Sequence, residues 1–482
     1  MMDNTQQQQN LDADGNFKAV ASASGSVSSV PLVLYNVLWI MGLLLGFPLL
    51  LIYAAVSPKL RHSFWQKAGF FDAGLMEQFH VLQSLPHGTV SATTDKVVWI
   101  HAVSVGEFNA VKPLIQDLEG ACRVIVTTAT RTGQDLAKKT FPEHLVFYFP
   151  FDFPLVIRRF FQLIKPDAVV LTETELWPNF IHTVTRQHIP LLLINGRISP
   201  GSFQGYQKIK PLAASMLKGF THLYMQSEAD RDRVVALGAP GSSVTVAGNI
   251  KFDIHPVVDP AQKAMLQRLL NFSAKDTVMT FASTHSGEDQ PLVTQYLKLK
   301  KDFPELKLIL APRHPERLNE IRSILTAQSV QYSVRSQLTE EEINKEPVVV
   351  LDTIGELMAA YSLSHVAVMG GSFIEHGGQN PLEPIAMNVP VIFGPHMFNF
   401  PAISKLISDN HAGYQVENVT EICAKVTELL TQPEICSNMA DNGQRLLEVN
   451  RGTKQVLCQA IHQVIQQQMD EPHAKDQVLQ LN

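Results

Sequence analysis

Residues 97–107 read VVWIHAVSVGE. The run Val97–Val103 predicts a buried strand, and Ser104 followed three residues later by Glu107 is the usual start of a helix. Further strand-like runs recur along the chain, each followed by an amphipathic segment: Arg123–Thr128, Ala168–Thr172, Pro190–Ile194 and Val244–Ala247. Repeated strand–helix alternation indicates a parallel sheet with helices on both faces.

The same pattern restarts after Asp253–Pro260. The second set of strand-like runs is Val278–Ser283, Lys307–Ala311, Pro347–Leu351, Val366–Gly370 and Val389–Phe393. The sequence therefore predicts two doubly wound, Rossmann-like α/β domains, at residues 59–255 and 256–468, with helices at the end of the second and a loose tail over 469–482. No strand is followed by G-x-G-x-x-G or by G-x-x-x-x-G-K-[ST], which disfavours a Rossmann dehydrogenase and a P-loop NTPase.

An apolar segment precedes the two domains. No charged residue occurs from Ala19 to Pro58, and residues 30–56 are long enough for the ~20 residues of a membrane-spanning helix. We expect a disordered tail over 1–29 and a membrane anchor over 30–58. A cleaved signal peptide fits poorly, because the preceding residues are acidic and the apolar run is too long. A buried core helix is the other alternative.

Basic and aromatic residues follow the apolar segment. Positive flanks stay in the cytoplasm and aromatic rings lie at the membrane interface, so the body is expected on the cytoplasmic side of the inner membrane. These residues also suit an anionic lipid surface, although marking of topology explains them equally well. They are Lys59, Arg61, Phe64, Trp65 and Lys67.

Composition excludes several classes of protein. Of the 482 residues, 17% are charged, below the roughly 25% that is typical of soluble chains. The formal net charge of −6 argues against bulk binding of nucleic acid. The four cysteines form no C-x-x-C pair, so a disulfide framework and a zinc knuckle are poorly supported and a reducing compartment fits best.

Carboxylates follow the predicted strands of the first domain. In open parallel sheets, ligands bind beyond the carboxyl ends of the strands, which makes these residues functional candidates. Glu107 is either a partner of the Ser104 helix cap or a carboxylate that takes a proton, and the spacing alone favours the cap. In TETELWPN, residues 172–179, Glu175 can cap a helix through Thr172. Glu173 has no such role and is the better functional candidate.

Other polar residues follow the same strands. Thr130 lies in a hydroxyl-rich segment that either lines a polar pocket or caps a helix. Arg197 can hold an anionic group or pair with a nearby glutamate. Lys251 places a cation near the expected crevice between the domains, although by itself it resembles a solvated lysine.

The second domain offers positive charge and glycines. Ser283 and Thr284 begin a polar turn, and Arg313, followed by His314, can bind a phosphate with two parallel hydrogen bonds. The segment Thr353–Glu356 is another capping box, and its exposed amides can meet a base or ribose.

Residues 377–384, GGQNPLEP, are the strongest local signal. The glycines allow close backbone approach, Asn380 is a helix cap and Pro381 is the first helical residue. Glu383 either caps the helix or accepts hydrogen bonds from ribose hydroxyls. A nucleotide held by the second domain and an acceptor held by the first fit these residues, and no metal-ligand spacing requires a metal or cofactor.

Taken in order, these motifs resemble those of the 3-deoxy-D-manno-octulosonic acid (Kdo) transferases of lipopolysaccharide synthesis, which are glycosyltransferases of the GT-B fold, with two domains facing a cleft. The resemblance extends from the apolar segment to about Gly452. It is carried by WIHAVSVGE (Trp99–Glu107), TETELWPN (Thr172–Asn179), GNIKFD (Gly248–Asp253), STHSGE (Ser283–Glu288), APRHPER (Ala311–Arg317), DTIGEL (Asp352–Leu357) and GGQNPLEP (Gly377–Pro384).

The resemblance implies a metal-independent, inverting transfer of Kdo from CMP-Kdo to the lipid A precursor, lipid IVA. It implies that Glu107 is the general base and that Glu173 and Lys251 stabilise the transition state. The positions that match CMP contacts are Arg313, His314, Ile354, Gly355, Glu356, Asn380, Pro381, Leu382 and Glu383. Candidates for further contacts with acceptor or donor are Ser104, Thr130, Arg197, Ser283 and Thr284.

Two positions depart from the family pattern. Gln379 stands where a histidine is expected, and Gly201 where a larger polar residue is expected. Both affect the expected substrate contacts rather than the expected reaction.

Two other interpretations stay open. The first is a GT-B transferase, or an epimerase of the same fold, that uses another sugar nucleotide. The second is a non-catalytic membrane scaffold that keeps a nucleotide site, although such a protein has no need for Glu107, Glu173 and Lys251 together.

Overall fold

The computed structural model describes residues 29–56, 58–84, 95–254, 258–273 and 275–470. The chain divides into two compact units, one formed by Met1–Ile250 with Arg451–Asn482 and the other by Lys251–Asn450. The tails predicted at 1–29 and 469–482 lie largely outside the described residues.

The first unit begins with three helices and continues as alternating strands and helices. The three helices are α1 (Ser29–Val56), α2 (Pro58–Lys67) and α3 (Ala73–Ser84). The alternating elements are β1 (Val97–His101), α4 (Val105–Leu118), β2 (Arg123–Thr128), α5 (Arg131–Thr140), β3 (Leu145–Tyr148), α6 (Pro154–Ile164), β4 (Ala168–Thr172), α7 (Pro178–Arg186), β5 (Leu191–Gly196), α8 (Pro200–Lys208), α9 (Lys210–Leu217), β6 (His222–Met225), α10 (Glu228–Leu237) and β7 (Val244–Val246).

These strands form a seven-stranded parallel sheet in the order β3-β2-β1-β4-β5-β6-β7. The apolar side chains of β1 alternate between the two faces, so Trp99 packs among phenylalanines on one face while Val98 and Ile100 pack on the other. Because the strand order reverses beside β1, the ends of β1 and β4 meet at the switch point where sheets of this kind bind ligands.

The second unit repeats the architecture. Its elements are α11 (Pro260–Leu270), β8 (Thr277–Thr284), α12 (Asp289–Asp302), β9 (Leu306–Pro312), α13 (Leu318–Ala327), β10 (Tyr332–Val334), β11 (Val348–Val350), α14 (Leu357–Tyr361), β12 (Val366–Met369), α15 (Leu382–Ala386), β13 (Val391–Phe393), α16 (Pro401–Asp409), β14 (Gly413–Gln415), α17 (Ile422–Thr431) and α18 (Pro433–Asn450). The parallel sheet has the order β10-β11-β9-β8-β12-β13-β14. Two doubly wound α/β domains are thus confirmed, and each strand predicted from the sequence has a counterpart.

The last helix, α19 (Thr453–Asp470), returns to the first unit. The sequence predicts these residues in the second domain, so their position differs from the expectation. Leu457, Ile461 and Val464 are buried in the same apolar cluster as Val98 and Ile100 of β1. An amphipathic pattern reveals that α19 has a buried face, but not which sheet covers it.

The structure does not show the membrane-spanning helix that the sequence predicts over 30–58. Within the part of the chain that the structure describes, no helix has the length and apolarity needed to cross a membrane. One residue of the expected membrane-facing collar also turns inward, because Lys67 donates a hydrogen bond from Nζ to the carbonyl of Ala129, 2.8 Å away.

Candidate active site

Glu107 lies in the first turn of α4, directly beyond the end of β1. Its Oε2 accepts hydrogen bonds from the Val103 amide at 2.8 Å and from Thr172 Oγ1 at 3.1 Å, and its Oε1 lies 3.1 Å from Ser104 Oγ. Ser104 caps α4 as predicted, with Oγ 3.4 Å from the Glu107 amide. The carboxylate is therefore held by groups from two adjacent strand ends.

The environment of Glu107 favours the protonated carboxyl more than water does. Burial and, to a lesser degree, the charge of Glu173 raise its pKa, while the three hydrogen bonds partly oppose the rise. A carboxylate with a raised pKa is a stronger base than one with the ordinary pKa, and this is the property that a general base requires.

Two further carboxylates follow β4. Glu173 has a φ of +54°, a left-handed conformation that is uncommon outside glycine, and its amide donates to the carbonyl of Ile194 at 3.0 Å. The predicted cap of Glu175 by Thr172 is wrong, because α7 begins only at Pro178 and Glu175 Oε2 accepts instead from the Trp177 indole at 2.8 Å. Burial raises the pKa of Glu175 to about 7, with smaller contributions from the charges of Glu107 and Glu173.

The neighbouring loops are tied to the same sheet edge. Thr130 caps α5 through Gly133, and its Oγ1 also lies 3.3 Å from the carbonyl of Val103. Thr174 donates from Oγ1 to the backbone carbonyl of Arg197, which joins the segments after β4 and β5. The structure therefore brings Ser104, Thr130, Glu173 and the backbone of Arg197 to the end of the sheet where Glu107 lies.

In the second unit, the segment after β8 carries Ser283, with a φ of +56°, and Thr284. Thr284 Oγ1 and Glu288 Oε2 are buried and, among the described residues, have no hydrogen-bond partner. Burial raises the pKa of Glu288 to about 7, and its other oxygen accepts from the amides of His285 at 2.7 Å and Gly371 at 2.6 Å. This carboxyl group thereby connects the segments after β8 and β12.

Arg313 and His314 follow β9 and are exposed. Glu383 is partly buried, and burial raises its pKa to about 7 while the charge of Arg313 opposes the rise. Arg317, in contrast, is bound to Asp289 and Glu320. Of the two arginines in the motif, Arg317 is structural and Arg313 is exposed to solvent.

The segment 353–356 presents its backbone rather than its carboxylate. Ile354 is 84% exposed. Glu356 Oε1 accepts from Nη2 of the buried Arg335 at 2.7 Å, and Thr353 Oγ1 donates to Oε2. Thr353 and Glu356 are paired through their side chains, but the predicted capping box is wrong, because α14 begins only at Leu357. The sequence offered no sign of Arg335.

The GGQNPLEP segment turns sharply before α15. Gly378 has a φ of +74°, and a Cβ there would lie 2.2 Å from Met397 Sδ, so a larger residue does not fit. Asn380 Oδ1 accepts from the Leu382 amide at 3.2 Å, but the helix begins at Leu382, so its N-cap is Pro381 and the predicted positions of cap and first helical residue are wrong by one. The amide nitrogen of Gln379 lies 3.1 Å from Nε2 of His285.

Lys251 is the first residue of the second unit, and its ammonium lies 5.2 Å from the centre of the Phe400 ring. Within the described ranges, no group of three His, Cys, Asp or Glu side chains is arranged to hold a metal ion.

Two family models match the chain. The model described as "3-Deoxy-D-manno-octulosonic-acid transferase (kdotransferase)" matches residues 48–254, and the model "Glycosyl transferases group 1" matches residues 288–446. A curated 3-deoxy-D-manno-octulosonic acid transferase from Haemophilus influenzae is 33% identical over 425 residues, which cover 86% of this chain and 95% of the relative.

Solved structures support the fold. A glycosyltransferase from Rickettsia africae has a TM-score of 0.53 and 13% identity, and it covers 77% of this chain and 98% of its own. A UDP-GlcNAc 2-epimerase from Neisseria meningitidis has a TM-score of 0.52 and 14% identity, and it covers 76% of this chain and 99% of its own. Their likeness confirms two domains of the Rossmann-like kind found in GT-B proteins.

Proposed function

The chain belongs to the family of 3-deoxy-D-manno-octulosonic acid transferases, and from this premise we propose that its donor is CMP-Kdo and its acceptor is lipid IVA, the lipid A precursor. Transfer of Kdo in lipopolysaccharide synthesis is the reaction of the family. The finer proposal names the nucleotide, the acceptor lipid and the residues that act on them.

The observation that carries the proposal is the setting of Glu107. Its carboxylate is half-buried, has a raised pKa and is held by Val103, Ser104 and Thr172 at the switch point of the first sheet. In the proposed step, an acceptor hydroxyl gives its proton to Glu107 while its oxygen bonds to the anomeric carbon of Kdo. The bond from that carbon to the CMP phosphate breaks, and CMP leaves with the electron pair. Attack opposite the leaving group inverts the anomeric centre.

The other residues are assigned according to the part of the substrate that their charge or hydrogen-bonding groups can stabilise. Arg313 and Lys251 are cations that can stabilise the negative charge on the departing phosphate. Arg313 and His314 are exposed, and the charge of Arg313 acts on Glu383, which supports their assignment to CMP together with Asn380, Pro381, Leu382 and Glu383. The backbone of Ile354, Gly355 and Glu356 is assigned to the base or ribose. Glu173 is assigned to the transition state because it matches the family motif, and its charge also raises the pKa of Glu107.

We also propose that residues 30–58 anchor the protein in the inner membrane, with both units on the cytoplasmic side. Support comes from the uncharged sequence and from α1, where several large apolar side chains are exposed. Another side of α1 is attached to the first unit, since Asn36 and Asn179 exchange amide hydrogen bonds of 3.0 and 2.7 Å. The exposed side chains are Val33, Leu34, Val37, Leu38, Ile40, Met41 and Leu44. Full extraction of the protein from membranes by alkaline carbonate would contradict the anchor.

The proposed reaction is tested by mass spectrometry of lipid IVA after incubation with the purified protein and CMP-Kdo. We expect a product that is heavier by one or more Kdo units. No product under conditions in which a known Kdo transferase is active would refute the proposed donor and acceptor. A second candidate is use of a different nucleotide, since the UDP-GlcNAc 2-epimerase shares the fold. We expect CMP, and neither UDP nor GDP, to raise the melting temperature.

A further inference from the structure

Three imidazole rings lie together at the carboxyl edge of the second sheet. The ring centroids of His285 and His376 are 4.4 Å apart, and those of His285 and His314 are 5.7 Å apart. The three residues come from the segments after β8, β12 and β9. Only His314 has a role in the proposed function.

The position of the central ring, His285, is fixed by its neighbours. Its amide and that of Gly371 both donate to Glu288, and its Nε2 faces the amide nitrogen of Gln379 at 3.1 Å. Gly371 has a φ of +67°, and a Cβ there would lie 3.1 Å from Cδ2 of His285, so the glycine makes room for the ring. The two outer imidazoles, His314 and His376, are exposed. A fixed inner ring thus lies beside two rings that a ligand can reach.

The groups around His285 make the cluster electropositive. Burial and, to a lesser degree, the charges of His376, His314, Arg317 and Arg313, in that order, lower the pKa of His285 to about 4. Arg317 is neutralised by Asp289 and Glu320, and Glu288 is the acidic group of the segment after β8. His314 also has Glu316 at 3.5 Å. Arg313 is thus an exposed cation whose charge acts on His285.

We propose that His285 and His376 join His314 and Arg313 in binding the phosphate of the nucleotide, and that the imidazole cluster takes up a proton when the phosphate binds. The assignment to a nucleotide rests on the proposed function, whereas the phosphate site itself rests on the cluster. A phosphate dianion next to an imidazole favours the charged ring and offsets the repulsion from the other cations. A site built from arginine alone would take up no proton, because guanidinium is always charged.

The test is isothermal titration calorimetry of the full chain with CMP in two buffers that differ in ionisation enthalpy. We expect proton uptake with CMP, more near pH 6.5 than near pH 8, and none with cytidine, which lacks the phosphate. The phosphate of CMP itself titrates near pH 6. Proton uptake is therefore compared between the wild type and variants, for which the contribution of the CMP phosphate is the same.

His285→Asn and His376→Asn should each weaken CMP binding and reduce proton uptake. For His285→Asn we expect affinity to fall roughly 10- to 100-fold, the effect of losing a charge-assisted hydrogen bond. His411→Asn is the matched control, since His411 is an exposed imidazole of the same unit. If His285→Asn does not fold, His376→Asn still tests the proposal, because the side chain that it changes is exposed. Unchanged affinity and uptake in the folded variants would overturn the inference.

Titration with inorganic phosphate separates this inference from the proposed function. If CMP does not bind but phosphate binds with a proton uptake that His376→Asn reduces, the nucleotide assignment fails and the imidazole site stands. If neither CMP nor phosphate binds, the imidazole site is wrong.

Discussion

Thr172 Oγ1 lies 3.1 Å from Glu107 Oε2 and 2.9 Å from the carbonyl oxygen of His101. A hydroxyl group both donates and accepts, so Thr172 can serve either protonation state of Glu107. It donates to the ionised carboxylate, and when Glu107 is protonated it can accept from the carboxyl while donating to His101. Glu107, as a base that takes and later releases a proton, thus has a hydrogen-bond partner in both its ionised and its protonated state.

Thr172→Val should lower turnover roughly 10-fold and move the acidic limb of the pH–rate profile to higher pH. The hydrogen bond from Thr172 lowers the pKa of Glu107, so its removal raises that pKa further. Because the base must be ionised to act, activity is then lost at a higher pH as the solution is acidified. Steady-state kinetics across pH measure the shift.

The matched control for this variant is Thr183→Val, which removes a hydroxyl that donates to the Asn179 carbonyl within α7. We expect its acidic limb to stay in place. If Thr172→Val also leaves the limb unmoved, Thr172 does not tune the base.

Glu107→Gln should lower turnover by roughly 10²–10⁴-fold, the contribution expected of a general base. The amide is nearly the same size, so the fold and the CMP affinity should persist. Glu143→Gln, which changes an exposed glutamate of the same unit, should leave turnover unaltered. Wild-type turnover in Glu107→Gln would remove Glu107 from the mechanism.

Features that depend on neighbouring residues, such as strands and helix caps, could be predicted from the sequence. The apolar run at 97–103 and the Ser104–Glu107 spacing predict β1, the cap and the start of α4, and all three are present. The strands β3, β6, β10 and β14 were missed, because three or four residues carry little periodicity. The equally short β7, β11 and β13 were predicted because each lies in a slightly longer apolar run.

Contacts between segments that are distant along the chain could not be predicted from the sequence. Thr172 was predicted to cap Glu175, but it contacts Glu107, 65 residues away, because β4 pairs with β1. The contact between Gln379 and His285 spans 94 residues in the same way. Spacing reveals which side chains follow a strand, and strand order decides which of them meet.

Glu175 should make the first unit less stable as pH rises. Its pKa is about 7 in the folded chain against an ordinary value of 4.5, so folding favours the protonated form. The stabilisation is fully present below about pH 4.5 and is lost as pH rises through about 7. In Glu175→Gln, the fall in melting temperature between about pH 5.5 and pH 8 should be smaller than in the wild type, as measured by scanning calorimetry.

Glu143→Gln is again the control, and it should keep the wild-type pH dependence. An equally steep fall in Glu175→Gln would show that the carboxyl is ionised in the folded chain at pH 5.5.

Arg335→Met should destabilise the second unit by about 3–5 kcal/mol, because it leaves the carboxylate of Glu356 unpaired. The side chains of Arg335 and Glu356 are only 9% and 12% exposed. Arg268→Met breaks an ion pair whose side chains are 63% and 64% exposed, and it should cost about 1 kcal/mol or less. Urea unfolding measures both.

The double variant Arg335→Met with Glu356→Leu should recover most of the lost stability, since no buried charge is left without a partner. It also tests how the segment 353–356 meets the nucleotide. If the backbone makes the contacts, the double variant should bind CMP within about threefold of the wild type, a difference below 1 kcal/mol. Recovered stability with a loss of CMP affinity of about 100-fold would show instead that the Glu356 carboxylate contacts the nucleotide.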